Sequence, residues 1–491
     1  MSIKILINAN DPEECRVAIV KANKLEEFYI ESAAKETTQG NIYKGVITRI
    51  EPSLQAVFVD YGAERHGFLQ RHEIHSDYFQ DSEDGDRKIE KIVKRGQEVM
   101  VQVTKEPFMK KGAMLTTYIS LAGRYLVLMP GSDKIGVSRK IEDENERSRL
   151  KDLVGKLKLP EGFGLIVRTV GVNSTKTLLA RDLRYLLRLW KTIKQRVMQE
   201  PVPALLNKER HLVLRSIRDY FTPEVNEILI DDPSVFHEVR EFIKIISRKH
   251  YKIVKLYRDD KPIFTQFGIE DQITPIFESR VNLKSGGSIV IEQTEALVSI
   301  DVNSGKSTHQ KSIEKTAFLT NLEAAEEAAR QLRLRDLGGL IVIDFIDMLE
   351  PKHRSEVERR LRSFANEDKA KIKVGKISRF GLLEMSRQRL RPSIEFGNYN
   401  PCRYCHGKGL VASTETLAVG FLRKLSLETL KPDITYVKGI VPADVADYLL
   451  NKKRKEIAVL EERRGLSVKI EGDSSMAPGD SEIIYDARKK T

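Results

Sequence analysis

Two aspartates, each at the end of an apolar run, are the residues best suited to chemistry in this sequence. Residues 296–300 lead into Asp301, and residues 339–343 lead into Asp344. Such runs predict buried strands, and the helical spacing of apolar residues across 312–337 predicts a helix between them. A right-handed strand–helix–strand crossover would bring both carboxylates to the same edge of a parallel sheet.

Two carboxylates about 5–10 Å apart repel each other unless a cation lies between them, and Mg²⁺ is held by one or two carboxylates with water and phosphate oxygens. The ion would polarise a phosphoryl oxygen and lower the pKa of an attacking water. Asn303 is placed to orient that water or to hydrogen-bond the phosphate, and Asp347 to assist. The alternative is that each aspartate only caps the helix or loop after its strand.

Other charged residues surround this predicted site. Glu326 and Arg330 have the spacing of an ion pair on the outer face of the helix. The segment 378–391 carries four arginines around an apolar core. Guanidinium groups suit phosphate oxygens, and an ordinary solvated helix face is an equally open interpretation of this segment.

The close cysteine pair, Cys402 and Cys405, has the spacing of a zinc knuckle. A structural zinc takes four protein ligands, whereas this stretch offers two thiolates, and Cys15 is far away in sequence. One zinc shared by two protomers would complete the set and make a homodimer, with a tetramer left open. Two reduced cysteines without a metal are the alternative.

Composition limits the kind of protein. A chain of 491 residues exceeds one hydrophobic core and predicts roughly three to five folding units. Its net charge of +12 favours a polyanionic partner such as nucleic acid. There is neither a run of about 18 apolar residues nor an apolar N-terminal stretch typical of a signal peptide. We therefore expect no membrane span and a cytoplasmic location.

Short strands alternate with turns near the start of the chain. Strands at 16–20 and 25–31 predict a β-hairpin. A second series predicts a small closed barrel of the OB type, an architecture that often binds single-stranded nucleic acid. Its strands are expected at 43–50, 54–61, 67–69 and 98–103, with a loop at 76–87.

Helical patterns are more frequent in the following part of the chain. Strands are predicted at 125–129 and 164–169, and a helix rich in Leu and Arg at 180–198. A charged helical region is expected to follow, up to about residue 277. The last segment, 413–491, is predicted to form a small α/β unit.

Several long phrases of the sequence resemble the ribonuclease E/G family. They lie at 41–45, 50–54, 58–69 and 338–348. Because the sequence shows no disordered extension after the last unit, we expect its layout to be more similar to that of ribonuclease G. The family knuckle often reads Cys-Pro-x-Cys, whereas here Pro401 precedes Cys402 and Arg403 stands at the proline position.

The resemblance implies a multidomain fold of α/β and α+β parts. The implied parts are an RNase-H-like subdomain split into 1–36 and 214–277, an S1-type OB barrel at 37–119, a 5′-sensor region at 120–213, a DNase-I-like catalytic subdomain at 278–398, a zinc link at 399–412 and a small dimerisation domain at 413–491.

The resemblance also assigns roles to individual residues. Asp301 and Asp344 match the magnesium positions, and Asn303 matches the residue beside the phosphate. The implied RNA contacts of the barrel are Phe58, Phe68 and Lys111, and the implied 5′-monophosphate sensor consists of Arg168 and Thr169 with Gly123 and Val127 nearby. Without the resemblance, a surface ion pair is the favoured explanation of Arg168.

The implied activity is magnesium-dependent hydrolysis of phosphodiester bonds in single-stranded, A/U-rich RNA, with a preference for 5′-monophosphorylated substrates. The implied substrates are rRNA precursors, tRNA precursors and mRNA. A non-catalytic RNA-binding scaffold is an alternative, although it would not need acids that repel phosphates. A magnesium phosphoesterase acting on small molecules is another, although it would leave the barrel unexplained.

Overall fold

The computed structural model describes residues 2–32, 38–80, 88–107, 112–305, 313–389, 391, 393–394, 399, 402–405, 407–431 and 434–487. The chain forms two compact units, Met1–Phe396 and Gly397–Thr491. Strands and helices are mixed in both, which confirms the predicted multidomain α/β class. Short 3-10 turns lie at Pro52–Leu54, Arg71–Glu73, Ser76–Tyr78, Thr169–Gly171, Arg248–Ile253 and Thr274–Phe277.

The chain opens with three antiparallel strands, β1 (Ile3–Asn8), β2 (Glu14–Lys21) and β3 (Lys24–Ser32). The predicted hairpin at 16–31 is confirmed as β2 and β3. Its tight turn is made by Ala22 and Asn23, both with positive φ.

A closed barrel follows, built from short strands around an apolar core. Its elements are β4 (Ile42–Glu51), β5 (Ala56–Asp60), β6 (Gly67–Gln70), α1 (Ile89–Ile92), β7 (Glu98–Lys105) and β8 (Met114–Thr116). Strand β4 pairs with both β5 and β7, and β8 pairs with both β6 and β7, so the sheet closes on itself. The barrel prediction is confirmed; the predicted loop at 76–87 lies partly outside the described residues.

The next region packs a small sheet against a long amphipathic helix. Its elements are β9 (Leu121–Ala122), β10 (Leu126–Pro130), β11 (Ile135–Val137), α2 (Glu144–Gly155), β12 (Phe163–Val167) and α3 (Lys176–Gln199), followed by β13 (Ala204–Asn207), which joins the edge of the barrel at β4. Helix α3 buries Leu179, Leu183, Leu186, Trp190 and Ile193. The predicted strand at 164–169 ends at Val167, so Arg168 and Thr169 follow it.

The region up to residue 277 returns to the first sheet. Its elements are α4 (Leu212–Tyr220), β14 (Val225–Ile230), α5 (Pro233–Ile246), β15 (Val254–Leu256), α6 (Ile263–Gln266) and α7 (Glu270–Ile273). Strand β14 pairs parallel with β1, giving the strand order β15-β14-β1-β2-β3. Two segments far apart in sequence therefore build one sheet. The sequence prediction of a helical region missed β14 and β15.

The last sheet of the first unit carries the two aspartates. Its elements are β16 (Arg280–Asn282), β17 (Ser288–Gln293), β18 (Leu297–Asn303), α8 (Ile313–Leu334), β19 (Gly339–Asp344), α9 (Pro351–Ala365), β20 (Ile372–Ile377) and β21 (Leu382–Arg387). The strand order is β16-β17-β18-β19-β21-β20. Helices α8 and α9 pack on one face, through a core that includes Ile300, Ile341, Ile343, Leu383, Ala324 and Val357. The opposite face presents exposed and half-buried side chains.

The predicted ion pair of Glu326 and Arg330 is wrong, and the structure excludes one of the two interpretations left open for 378–391. Arg330 is buried and pairs with Glu327, whereas Glu326 pairs with Lys24 and Arg360. The reason is that the packing of α8 brings Lys24 and Arg360 to Glu326, whereas Arg330 is buried and donates to the backbone oxygen of Leu25. The segment 378–391 is not a helix face, because 382–387 forms strand β21.

The described residues of the second unit form a three-stranded sheet with three helices. Its elements are α10 (Thr414–Glu428), β22 (Ile434–Pro442), α11 (Ala443–Lys452), α12 (Arg454–Arg464), β23 (Ser467–Asp473) and β24 (Glu482–Ala487). Phe421, Leu425 and Val437 lie in its core. The small α/β unit predicted for 413–491 is therefore present. In the described part of the chain, no helix combines the length and apolar character of a membrane span.

Candidate active site

Asp301 and Asp344 are brought together by strand pairing. Strands β18 and β19 are parallel neighbours, and these two aspartates are partners in their register. Ile300 and Ile343, one position earlier, are buried against the helices, so alternation along the strands turns both aspartates to the opposite, exposed face. The predicted juxtaposition is thus produced by a direct cross-strand pair.

Asn303 lies on the same face as Asp301, two residues further along β18. Its amide nitrogen Nδ2 donates a 2.6 Å hydrogen bond to Oδ2 of Asp301. Burial and the negative charges of Asp301 and Asp347 raise the pKa of Asp344 above its ordinary value. The three acidic groups therefore repel one another, and this face of the sheet favours a cation.

The donor set suits magnesium. Mg²⁺ prefers carboxylate oxygens but takes only one or two from protein, leaving its other positions to water and phosphate. Asp301 and Asp344 provide such a pair on an exposed face that a substrate can reach. Among the residues that the structure describes, no group of three or more His, Cys, Asp or Glu ligands converges as a cage for a metal.

The barrel presents two aromatic rings side by side. Phe58 on β5 and Phe68 on β6 are cross-strand partners, with ring centroids 5.6 Å apart in an edge-to-face arrangement. The guanidinium of Arg49 lies 4.4 Å from the centre of the Phe58 ring. Both rings are half-buried, which leaves surface for stacking with a base. Lys111, the predicted basic contact, lies outside the described residues.

The residues of the predicted 5′ sensor meet at one end of β12. Arg168 donates a 2.7 Å hydrogen bond to the backbone oxygen of Gly123 and a 2.6 Å hydrogen bond to Asp219. Val127 lies on the adjacent strand, β10, in register with Ile166. Thr169 follows Arg168 and begins a 3-10 turn.

Asp182 holds the loop of this predicted sensor in place. Its carboxylate accepts hydrogen bonds from the backbone N–H groups of Arg124, Tyr125 and Leu126. A Cβ atom at Gly123 would lie 2.5 Å from Oδ2 of Asp182, so the close approach requires glycine.

Cys402 and Cys405 lie in the second unit, in a short turn. Backbone N–H groups of Cys405 and Tyr404 lower the pKa of the Cys402 thiol. Cys402 is exposed and Cys405 is half-buried. A surface turn that lowers the pKa of one of its two thiols fits a pair of metal ligands.

Comparison of the sequence with models of known protein families shows the family to which this chain belongs. The model described as "Ribonuclease E/G family" matches residues 120–390, which include both aspartates and the Arg168 region. The chain belongs to the ribonuclease E/G family. The model described as "S1 RNA binding domain" matches residues 36–116, and that described as "RNase E/G, Thioredoxin-like domain" matches residues 401–488.

Curated members of the family align along almost the whole chain. Ribonuclease E of Haemophilus influenzae is 49% identical over 476 residues, covering 96% of this chain and 51% of that protein. Ribonuclease E of Escherichia coli K12 is 49% identical, covering 94% of this chain and 44% of that protein. Ribonuclease G of Escherichia coli K12 is 37% identical, covering 96% and 97%.

This family member thus spans about half the length of the ribonuclease E relatives and nearly all of the ribonuclease G relative. Sequence identity does not support the expected greater similarity to ribonuclease G, because it is 49% with the ribonuclease E relatives and 37% with the ribonuclease G relative.

Sequence reasoning missed what most of the arginines in 378–391 do. Arg387 is buried and bonded to Asp368 and Asp336, and Arg391 pairs with Asp336. Arg389 donates to the backbone oxygen of Gly338. These three side chains connect segments that are far apart in sequence. The spacing of the arginines along the chain does not indicate such contacts.

Proposed function

We propose that this member of the family is a magnesium-dependent endoribonuclease that hydrolyses phosphodiester bonds in single-stranded, A/U-rich RNA. The observation that carries the proposal is the in-register pair of Asp301 and Asp344, with Asn303 hydrogen-bonded to Asp301 on the same exposed face. The family membership and the S1-type barrel support RNA as the substrate class.

Asp301 and Asp344 would hold the magnesium ion. When bound, the ion supplies charge stabilisation at the phosphate and a more acidic water. Asn303 is fixed through its hydrogen bond to Asp301. Its second amide N–H and its oxygen would be available to a phosphate oxygen or a water at the carboxylates. Because the amide is already ordered, orienting it costs little entropy when substrate binds.

Substrate capture would use the barrel and the end of β12. Phe58 and Phe68 offer ring surfaces for bases, with Lys111 as the proposed basic contact. Arg168 and Thr169, beside Gly123 and Val127, would bind a 5′-terminal monophosphate through charge-assisted hydrogen bonds. A terminal monophosphate carries more charge than an internal phosphodiester, which would produce a preference for 5′-monophosphorylated RNA.

The proposed biological substrates are rRNA precursors, tRNA precursors and mRNA in the cytoplasm. In the assembly that we propose, Cys402 and Cys405 of two protomers share one Zn²⁺, because a structural zinc takes four protein ligands and each turn offers two. This would produce a homodimer, and pairs of dimers would give a tetramer.

The proposal is tested by incubating purified protein with a short unstructured 5′-monophosphorylated RNA, with magnesium and with EDTA. We expect internal cleavage only with magnesium. Tight binding without cleavage in either condition would support a scaffold instead. Hydrolysis of a small phosphodiester without cleavage of RNA would support the small-molecule phosphoesterase.

A further inference from the structure

An exposed aromatic side chain stands beside the paired aspartates. Phe380 is 69% exposed and lies in the turn between β20 and β21. Gly381, next to it, is so close to the acidic groups that a Cβ added there would lie 3.3 Å from Oδ1 of Asp347 and 3.9 Å from Oδ1 of Asp344. The ring of Phe380 is therefore carried by a turn that borders the proposed metal position.

The turn that carries Phe380 is held by several backbone hydrogen bonds. The N–H of Ser378 donates to the oxygen of Leu382 at 2.8 Å, and the N–H of Gly381 donates to the oxygen of Ser378 at 3.1 Å. The N–H of Phe345, one residue after Asp344, donates to the oxygen of Gly381 at 3.4 Å. The position of the turn is thereby tied to the strand that bears Asp344.

Arg379 completes the group, since its guanidinium lies 4.8 Å from the centre of the Phe380 ring. The other arginines of this segment are engaged within the fold, whereas Arg379 is exposed. The guanidinium lies over the ring, and Phe380 is still 69% exposed. An exposed ring with a cation over it, at the edge of an acidic site, matches the two parts of a nucleotide, a base that stacks and a phosphate that pairs.

Single exposed apolar residues are common on protein surfaces and usually need no explanation. Phe380 differs in lying on a hydrogen-bonded turn that is bound to the Asp344 strand and in having an arginine against its ring. Gly381, the next residue, borders Asp347 and Asp344, so the exposed ring lies beside the paired carboxylates, where a nucleotide of bound RNA would pass.

We propose that Phe380 stacks on the base of a nucleotide next to the scissile phosphate, and that Arg379 binds the adjoining phosphate. This inference deepens the proposed function and rests on RNA being cut at Asp301 and Asp344. The RNA would then contact aromatic rings at two places: Phe58 and Phe68 in the barrel, and Phe380 in the sheet that bears Asp301 and Asp344. The stack would position the RNA backbone over the carboxylates and favour bases with larger ring surfaces at that position.

The test uses abasic RNA and measures binding without cleavage. A single abasic nucleotide is moved along a short RNA, and the Kd of each RNA is measured in EDTA by fluorescence anisotropy. For the parent protein we expect the abasic nucleotide to weaken binding by about tenfold at one position of the RNA. That position should be adjacent to the cleavage site, which is mapped separately with magnesium. In Phe380→Ala the intact RNA should bind about tenfold more weakly, and the abasic penalty at that position should vanish. Phe380→Trp should restore both.

Ile245→Ala is the matched control, because Ile245 is 59% exposed on α5 and should change neither quantity. Unchanged affinity and an unchanged abasic profile in Phe380→Ala would overturn the inference. Binding is measured without magnesium, so it can be read even if the parent protein does not cleave RNA. In that case the nuclease proposal would be refuted, and a loss of affinity for abasic RNA that depends on Phe380 would still support the stacking subsite.

Discussion

Arg168 and Asp219 form an ion pair of 2.6 Å at the end of β12, with side chains only 22% and 21% exposed. The nearby guanidinium of Arg218 helps to hold the pKa of Asp219 well below its ordinary value, so this carboxylate is charged. Arg168 therefore forms an ion pair, which the sequence analysis gave as the alternative to a role in binding a 5′ monophosphate. A guanidinium has five N–H donors, and the bonds to Asp219 and Gly123 use two of them. The pair fixes the group and leaves donors for a phosphate.

Replacing Arg168 with alanine should remove a preference for 5′-monophosphorylated RNA. At low RNA concentration, we expect the initial cleavage rate of this RNA to fall by roughly tenfold, because the lost contact serves substrate affinity. The rate on 5′-hydroxyl RNA should change little. Arg181→Ala, at an exposed position of α3, is the control. If the parent protein shows no monophosphate advantage, or the variant retains it, Arg168 serves only the fold.

Loss of either barrel aromatic should weaken RNA binding. Phe58→Ala and Phe68→Ala each remove one ring of the cross-strand pair, and stacking on an aromatic side chain contributes about 1–3 kcal/mol per base. We expect a rise in Kd of about five- to a hundredfold, measured in EDTA with a short single-stranded RNA. Parent-like affinity in both variants, with unchanged thermal stability, would show that RNA does not use this face.

Zinc content tests the sharing of Cys402 and Cys405. Metal analysis of freshly purified protein should give about one zinc per two chains, because four-coordinate zinc needs both turns. The double replacement of these cysteines with serine should abolish metal binding and shift the mass measured by light scattering toward the monomer. The single change Cys15→Ser is the control. One zinc per chain, or none, is incompatible with a shared site.

Arg387 should contribute to stability and not to RNA binding. Its side chain is 2% exposed and bonded to Asp336 and Asp368. Arg387→Met therefore leaves the buried carboxylate of Asp368 without its cation, while Asp336 keeps Arg391. Breaking such a buried pair costs about 3–5 kcal/mol. Thermal unfolding should show a clear fall in Tm for Arg387→Met and little change for the exposed Arg379→Met. An unchanged Tm would mean that the ion pairs of Arg387 with Asp336 and Asp368 make no net contribution to the free energy of unfolding.

Residues whose roles follow from local pattern were predicted well from the sequence. The runs ending at Asp301 and Asp344 are apolar because both strands are buried on the helix side, and that periodicity is visible in the sequence. The hairpin at 16–31 and the barrel strands have equally local signals of alternation and turns.

Features that depend on long-range contacts were not predicted. Strand β14 is recognisable only beside β1, more than 200 residues earlier in the chain. Arg330 pairs with Glu327 and not with Glu326, because the packing of α8 buries the Arg330 side chain. Asp219 and Phe380 carry no sequence signal of their own, since their importance comes from Arg168 and Asp344, which other segments bring to them.

The most direct test of the two-carboxylate site is the cleavage rate of Asp301→Asn and Asp344→Asn at saturating magnesium, with RNA affinity measured in EDTA. Each variant loses one of two groups that hold the ion, so we expect cleavage to fall by on the order of a hundredfold or more while the Kd for RNA changes little. Glu292→Gln, an exposed acid on β17 of the same sheet, should cleave like the parent protein. Cleavage near the parent rate by either aspartate variant would contradict the assignment of the active site.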